Sequence, residues 1–354
     1  MDGSPIAGGE GYITAGILQS LRRMLDGEGD GRTLLNQVDL FVGSSAGAFN
    51  AAFLAREENP DAALARSTEF WGEVVAMNKK GVSPGRLMRT LAGSSSLVDS
   101  RYMRDFFCGY FGATTTLGDL KKKLVIPAFQ LDGERRGLRT WRPKVFHNIG
   151  SPDEPDLNEL LVDVLMRSGS PPLVYPIYQG LRGHGSGYVD GGVYANNPSL
   201  VGLASALREM GREETMESAP PDLSNILLLS LGNGRLSKFL SADFRDGTAN
   251  WGFSRWLLEM RDPLLLVKML LDSGSDAIDY QCRMILRKGY FRMNPVVEKA
   301  LHSYEHKQVE AALQQELTRA SSVERLAQTH QWLVRSGWLG SATREDSPPT
   351  HPRL

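Results

Sequence analysis

The sequence predicts an α/β fold, on three observations. Residues 38–42 (VDLFV) form a short β-forming run that passes into the glycine turn Gly43-Ser44-Ser45-Ala46-Gly47, then into small apolar residues 48–55. Strand, glycine turn and helix in that order are the unit from which helices are layered on a sheet. Residues 226–231 (ILLLSL) are continuously apolar, as a parallel strand covered on both faces requires. Between such runs, apolar residues recur at helical spacing. The 354 residues allow one large domain or two small ones. No linker divides them, so the reading is one α/β domain with helical additions at its C-terminal end.

The elements follow in order. Ile13, Ile17, Leu18, Leu21, Met24 and Leu25 make one apolar helical stripe, and a Gly/Asp-rich loop over 26–31 ends it. Residues 62–75 read as a helix, and 84–96 as a loop or short helix with Gly and Ser breaks. Residues 124–129 (LVIPAF) read as a strand ending near Asp132-Gly133, and 145–148 as another. A helix over 157–166 stops at 168–172 (SGSPP). Residues 187–192 (GYVDGG) deliver a strand to a Gly-Gly turn, followed by Asn196-Asn197-Pro198 and a helix over 199–210. A polar loop covers 213–221, and the strand 226–231 ends at Gly232-Asn233-Gly234. Residues 253–271 are apolar with scattered charges, and 298–337 are mostly helical with a break near Ser321-Ser322.

Composition removes several function classes. Forty basic side chains against 41 acidic ones leave a net charge of −1, so no global basic field gathers nucleic acid. Two cysteines, Cys108 and Cys282, exclude a disulfide scaffold and a Cys-rich zinc site, and fit reduced thiols in a cytoplasmic protein. No run is long and apolar enough for a transmembrane helix, and the first residues lack the pattern of a signal peptide. No calcium-loop or zinc spacing is present, so neither metal nor cofactor is expected.

The chemistry gathers at two glycine turns. Gly43 to Gly47 fit G-x-S-x-G with Ser45 at the centre. A nucleophile on a tight strand-to-helix turn needs small residues two positions to either side, and the helix that follows aims free N–H groups at a developing oxyanion. Five such residues also fit a plain structural turn, but the strand before and the helix after supply the context of a nucleophile elbow. The second turn is Asp190-Gly191-Gly192, where a carboxylate approaches another loop without side-chain collision. An Asp can take the serine proton directly. None of the six histidines sits in a motif that marks a catalytic base, and His302 and His306 read as surface residues.

GSSAG followed about 145 residues later by DGGVYANNP resembles the patatin-like phospholipase family, related to the catalytic domain of cytosolic phospholipase A enzymes. Residues 168–176 (SGSPPLVYP) resemble its Ser/Ala-rich, Pro-containing segment before the aspartate strand. Residues 229–234 (LSLGNG) resemble its S-L-G-T-G strand end, with Asn233 for Thr, and 15–18 (AGIL) its first helix. The resemblance spans about residues 8–234. It implies a three-layer α/β/α sandwich with a mostly parallel central sheet. Residues 1–240 would form the catalytic part, 241–340 a helical part packed on it, and 341–354 a flexible tail. Ser45 would be the nucleophile and Asp190 its base, with Gly43, Gly47, Gly191 and Gly192 shaping the turns.

The family's D-G-G-G-x-R-G loop supplies oxyanion N–H groups. Aligning backward from the first helix lays residues 6–11 on G-G-G-x-R-G, with Glu10 where Arg is usual. The rival alignment starts at Asp2-Gly3 but brings in Pro5, which has no N–H. The first alignment is preferred. The oxyanion donors are then expected on Gly8, Gly9 and Ala46.

The leading expectation is a lipid acyl hydrolase acting on phospholipid or another acyl lipid. Its rival is a catalytically impaired member of the fold that binds lipid or a partner, favoured by the altered glycine loop. A dinucleotide site at Gly9-Glu10-Gly11 fails, since no strand precedes it. A peripheral membrane contact is expected over 253–271, where Trp256, Leu257, Met260, Leu264, Leu265, Val267 and Met269 are interrupted by Arg255, Arg261 and Lys268. A core helix broken at Pro263, or an oligomer contact, would use the same residues.

Overall fold

The protein was analysed as a computed structural model, which describes residues 1–3, 10–26, 33–80, 96, 100–172, 174–181, 185–211, 221–257, 265–299, 301 and 308–339. The proposed tail over 341–354 and the polar loop over 213–221 fall outside the described residues or nearly so. The chain begins with an extended segment, residues 1–3, and then α1 (Gly11–Asp26), β1 (Leu40–Val42), α2 (Ala46–Arg56), α3 (Pro60–Lys80) and α4 (Ser100–Phe111). The hairpin β2 (Lys123–Arg135) and β3 (Leu138–His147) follows, then α5 (Leu161–Ser168), β4 (Tyr188–Asp190), α6 (Ser199–Met210) and β5 (Leu228–Leu231). The last part holds α7 (Phe253–Leu257), α8 (Leu265–Leu286), β6 (Tyr290–Met293), α9 (Val309–Leu317) and α10 (Ala320–Ser336).

The α/β class holds, and its sheet is mixed. β1 pairs with β2 in parallel, β5 with β6 in parallel, and β3 and β4 both run antiparallel to β2. Residues 1–3 join the two halves. Met1 N donates to Val42 O at 2.9 Å, Ser44 N to Met1 O at 3.2 Å, and Asp2 N to Leu231 O at 2.9 Å. Asp2 is pinned by a buried ion pair with Arg292 of β6, whose Nη1 also donates to Ser230 Oγ at 2.8 Å.

Strand residues alternate between two apolar faces. Phe41 and Leu229 pack into the larger core with α1, α2 and α3, while Leu228 joins a smaller cluster with Leu203, Cys282 and Leu286 of α6 and α8. Gly202 of α6 lies directly over Val42. Helices thus cover both sides of the sheet. In the larger core Phe49 and Phe53 of α2, Phe70 and Trp71 of α3, and Phe107 and Phe111 of α4 pack stacked, edge to face or tilted, at centroid distances of 4.4 to 6.2 Å. The helices α9 and α10 bury Leu313, Leu317, Leu326 and Leu333 in the same core.

Three elements depart from the sequence reading. The strands expected over 124–129 and 145–148 are the bases of a longer hairpin, closed by Arg136 (φ 51°) and Gly137 (φ 76°). Positive φ at both central residues marks the two-residue turn that matches strand twist. The outer half is exposed on both faces and so lacks apolar alternation. The break expected at Ser321-Ser322 falls at Thr318-Arg319, between α9 and α10. The apolar stretch 253–271 belongs to α7 and to α8, which runs on to Leu286, and 258–264 lie outside the described residues. Phe253, Val267, Met269 and Leu270 point outward, so these four are not core residues, whereas Leu265, also expected at the membrane contact, is buried. Among the described residues no helix is long and apolar enough to cross a membrane.

Candidate active site

Ser45 sits at the turn between β1 and α2 with φ 49° and ψ −121°. A non-glycine residue in that region costs on the order of 1–3 kcal/mol unless its surroundings enforce it. Here they do. Ser45 N donates to Ser168 Oγ at 3.0 Å, Ala48 N to Ser45 O at 2.9 Å, and Gly47 N to Ser44 O at 2.8 Å. The flanking glycines leave no choice of residue. A Cβ on Gly43 would lie 2.2 Å from Gly47 O, and one on Gly47 2.2 Å from Met1 O.

Asp190 ends β4, in register with Ala128 of β2. Its Oδ2 accepts from Ser45 Oγ at 2.6 Å, and its Oδ1 from Gly192 N at 2.7 Å. Gly191 crowds β2, where a Cβ would meet Pro127 O at 2.2 Å. Ser45 and Asp190 are both buried, with 7% and 5% exposure. Burial pushes the Asp190 carboxyl up to about 7, against the pull of the Ser45 and Gly192 hydrogen bonds. A carboxylate poised near neutrality beside a hydroxyl is suited to take and return one proton.

The Ala46 N–H, first in α2, has no partner among the described residues and faces the free end of the helix. Of the glycine loop, Gly8 and Gly9 lie outside the described residues. The structure puts Asp2-Gly3 against Ser45, with a Gly3 Cβ 3.0 Å from Ser45 Cβ. Gly11 instead opens α1 against the Trp71 ring. Backbone pairing of residues 1 and 2 with β1 and β5 fixes this arrangement.

In the sequence Ser168 stands out only as part of the segment 168–176. In the structure its Oγ donates to Pro127 O at 2.7 Å while accepting from Ser45 N, and its backbone O accepts from Gly191 N at 3.1 Å. One residue, through its hydroxyl and its carbonyl, thereby ties the elbow to the aspartate turn. Its only sequence signal is a small polar residue where a helix ends in SGS. Beside Ser45 lies a cavity of about 30 Å³ lined by Phe49, Phe70, Trp71, Met103, Phe107 and Tyr175. Desolvation and the Asp190 charge hold the Tyr175 phenol well above its ordinary range, so it stays neutral.

His147, Glu154 and Asp156 approach closely enough to share an ion. Cations of the protein already take these atoms. Lys144 Nζ donates to both Asp156 oxygens, and Arg208 contacts His147 Nε2 at 3.0 Å and Glu154 at 3.3 Å. The donor set is therefore a salt-bridge cluster.

A family model described as Patatin-like phospholipase matches residues 7–202. The Bacillus subtilis protein CotR is 31% identical over 244 residues, covering 69% of this chain and 65% of CotR. Protein teg of Priestia megaterium is 29% identical, covering 81% of this chain and 85% of its own length. A cGAMP-activated phospholipase of Pseudomonas aeruginosa is 25% identical, over 81% of this chain and 75% of its own.

Proposed function

As the chain belongs to the patatin-like phospholipase family, we propose that it is a lipid acyl hydrolase working through a Ser45–Asp190 dyad and an acyl-enzyme. Ser45 Oγ attacks the ester carbonyl carbon while its proton passes to Asp190 Oδ2, already 2.6 Å away. The oxyanion gains the Ala46 N–H at the start of α2. As the intermediate collapses, the C–O bond to the lysolipid breaks and Asp190 returns the proton to the departing oxygen. Water then attacks the acyl carbon with Asp190 as base, releasing the fatty acid and restoring Ser45. No step calls for a metal.

The aromatic cavity beside Ser45 supports an acyl subsite. Its volume of about 30 Å³ has room for only about one or two waters, so an acyl chain enters only as the lining side chains move aside. The outward residues Phe253, Val267, Met269 and Leu270, near Arg255 and Lys268, support a peripheral membrane contact in this region.

The observation that carries the reading is the short hydrogen bond from a strained serine to a buried, near-neutral carboxyl. The experiment is fluorophosphonate labelling with intact-mass analysis. The wild-type protein should gain one adduct and the Ser45→Ala protein none. A wild-type protein that stays unlabelled defeats the enzyme reading and favours an impaired member of the fold.

A further inference from the structure

The outer half of the β2–β3 hairpin serves neither the core nor the dyad, and it is unusually built. β4 follows β2 to Gln130, and Gly187 O and Ser186 Oγ still accept from Leu131 N and Asp132 N, after which the hairpin runs on to Arg135 with no second neighbour among the described strands. At about 3.3 Å per residue, residues 133–135 project it roughly 10 Å beyond that neighbour. β2 runs parallel to β1, and Asp190 pairs with Ala128, so the arm leaves the sheet from the end that carries Ser45 and Asp190.

Its charge is one-sided. Residues 131–142 contain Arg135, Arg136, Arg139 and Arg142 against Asp132 and Glu134. Arg139 is taken up by Asp132 and Arg142 by Gln130 Oε1 and Glu134 O. Arg135 and Arg136, at the tip, have no ion pair among the described residues. Beside them stand Leu138, 70% exposed, and Trp141, 71% exposed. A large aromatic and a leucine held in water on a strand pair gain nothing for the fold. Ile177, 63% exposed, lies at the arm's base against Gly187 and is two residues from Tyr175 of the Ser45 cavity.

We infer that this arm is an interfacial anchor that seats the active-site end of the protein on an anionic phospholipid surface. Arg135 and Arg136 meet headgroup phosphates, while Leu138 and Trp141 enter the headgroup–acyl boundary, the depth at which tryptophan is favoured. The inference rests on the proposed hydrolase reading for its purpose, but its binding step needs no catalysis.

The test uses the full chain with Ser45→Ala, so that lipid stays intact, and vesicles of phosphatidylcholine with or without phosphatidylglycerol. Each arginine near an anionic surface contributes roughly fivefold in binding. Arg135→Glu with Arg136→Glu should therefore weaken sedimentation with anionic vesicles by at least about tenfold. Leu138→Ser with Trp141→Ser should weaken it similarly while leaving the melting temperature unchanged, because both side chains are exposed. With Ser45 restored, both double variants should release less fatty acid from anionic vesicles and cleave a soluble short-chain ester at the wild-type rate. Variants that sediment like the parent, a parent that ignores anionic vesicles, or substitutions that change only self-association would each overturn the anchor. A protein that binds through the arm but cleaves neither substrate would overturn the hydrolase reading alone.

Discussion

Replacing Asp190 by asparagine should remove catalysis and, at alkaline pH, stabilise the fold. The carboxyl is held at about 7, against an ordinary value of 3.8, chiefly because it is buried. Below pH 4 it is protonated in the folded and unfolded chains alike. Between pH 4 and 7 the unfolded chain ionises and the folded one does not, so stability falls as pH rises. Above 7 the folded protein carries the full cost of a buried anion, roughly 4 kcal/mol at 1.36 kcal/mol per pH unit. Asparagine is neutral throughout, can still accept from Gly192 N and can donate to Ser45 Oγ. Allowing up to a few kcal/mol for imperfect hydrogen bonds leaves a gain of about 1–4 kcal/mol at pH 8. For a chain of 354 residues that is about 1–5 °C in melting temperature. The assay is calorimetry of both proteins from pH 5 to 8, with ester hydrolysis alongside. The advantage of Asp190→Asn should grow with pH, its turnover should drop by about 10²–10⁴, and wild-type kcat/KM should rise with pH through about 7. A variant equally destabilised at pH 5 and pH 8, or one that keeps turnover within tenfold, would refute the reasoning.

Ser168→Ala should leave Ser45 N and Pro127 O without their buried partner, costing about 1–3 kcal/mol in stability. If Ser168 positions the nucleophile, kcat should fall by about tenfold or more with KM near the wild-type value, whereas a merely structural role would leave kcat of the folded fraction unchanged. Phe253→Ser with Leu270→Ser should weaken lipid hydrolysis on vesicles and spare a soluble ester and the melting temperature. A fall of several degrees would show that these side chains pack in the interior after all.

What the sequence made legible were the places where backbone meets backbone. Gly43, Gly47 and Gly191 each fill a space in which a Cβ would stand 2.2 Å from a carbonyl oxygen, so their spacing around Ser45 and Asp190 could be read directly. The apolar runs over 38–42 and 226–231 became β1 and β5 because both faces of the sheet are covered. The outer hairpin was illegible for the opposite reason, since its residues largely face water on both sides and past Asp132 pair only with each other. The N-terminal residues hid a different signal. Asp2-Gly3 reaches Ser45 through backbone bonds to residues about 40 and 230 positions away, and no local periodicity encodes such a pairing.

One short stretch of β2 sets the distance between Ser45 and Asp190. Val125 O accepts from Gly43 N at 3.1 Å, which fixes the elbow. Ala128 stands in register with Asp190, which fixes the base. Between them Pro127 occupies the point where β2 changes partner, after its last β1 pair at Val125 and before its first β4 pair at Ala128. A strand proline has no N–H to donate, so it belongs where no strand asks for one. Its carbonyl is then free for Ser168 Oγ, and Ser168 in turn holds Ser45 N and Gly191 N. The nucleophile and its base, 145 residues apart in the chain, are thus referenced to the same three peptide units. Shifting that register by one residue would move every side chain of the strand to the opposite face, so the dyad geometry and the core are secured by the same pairing.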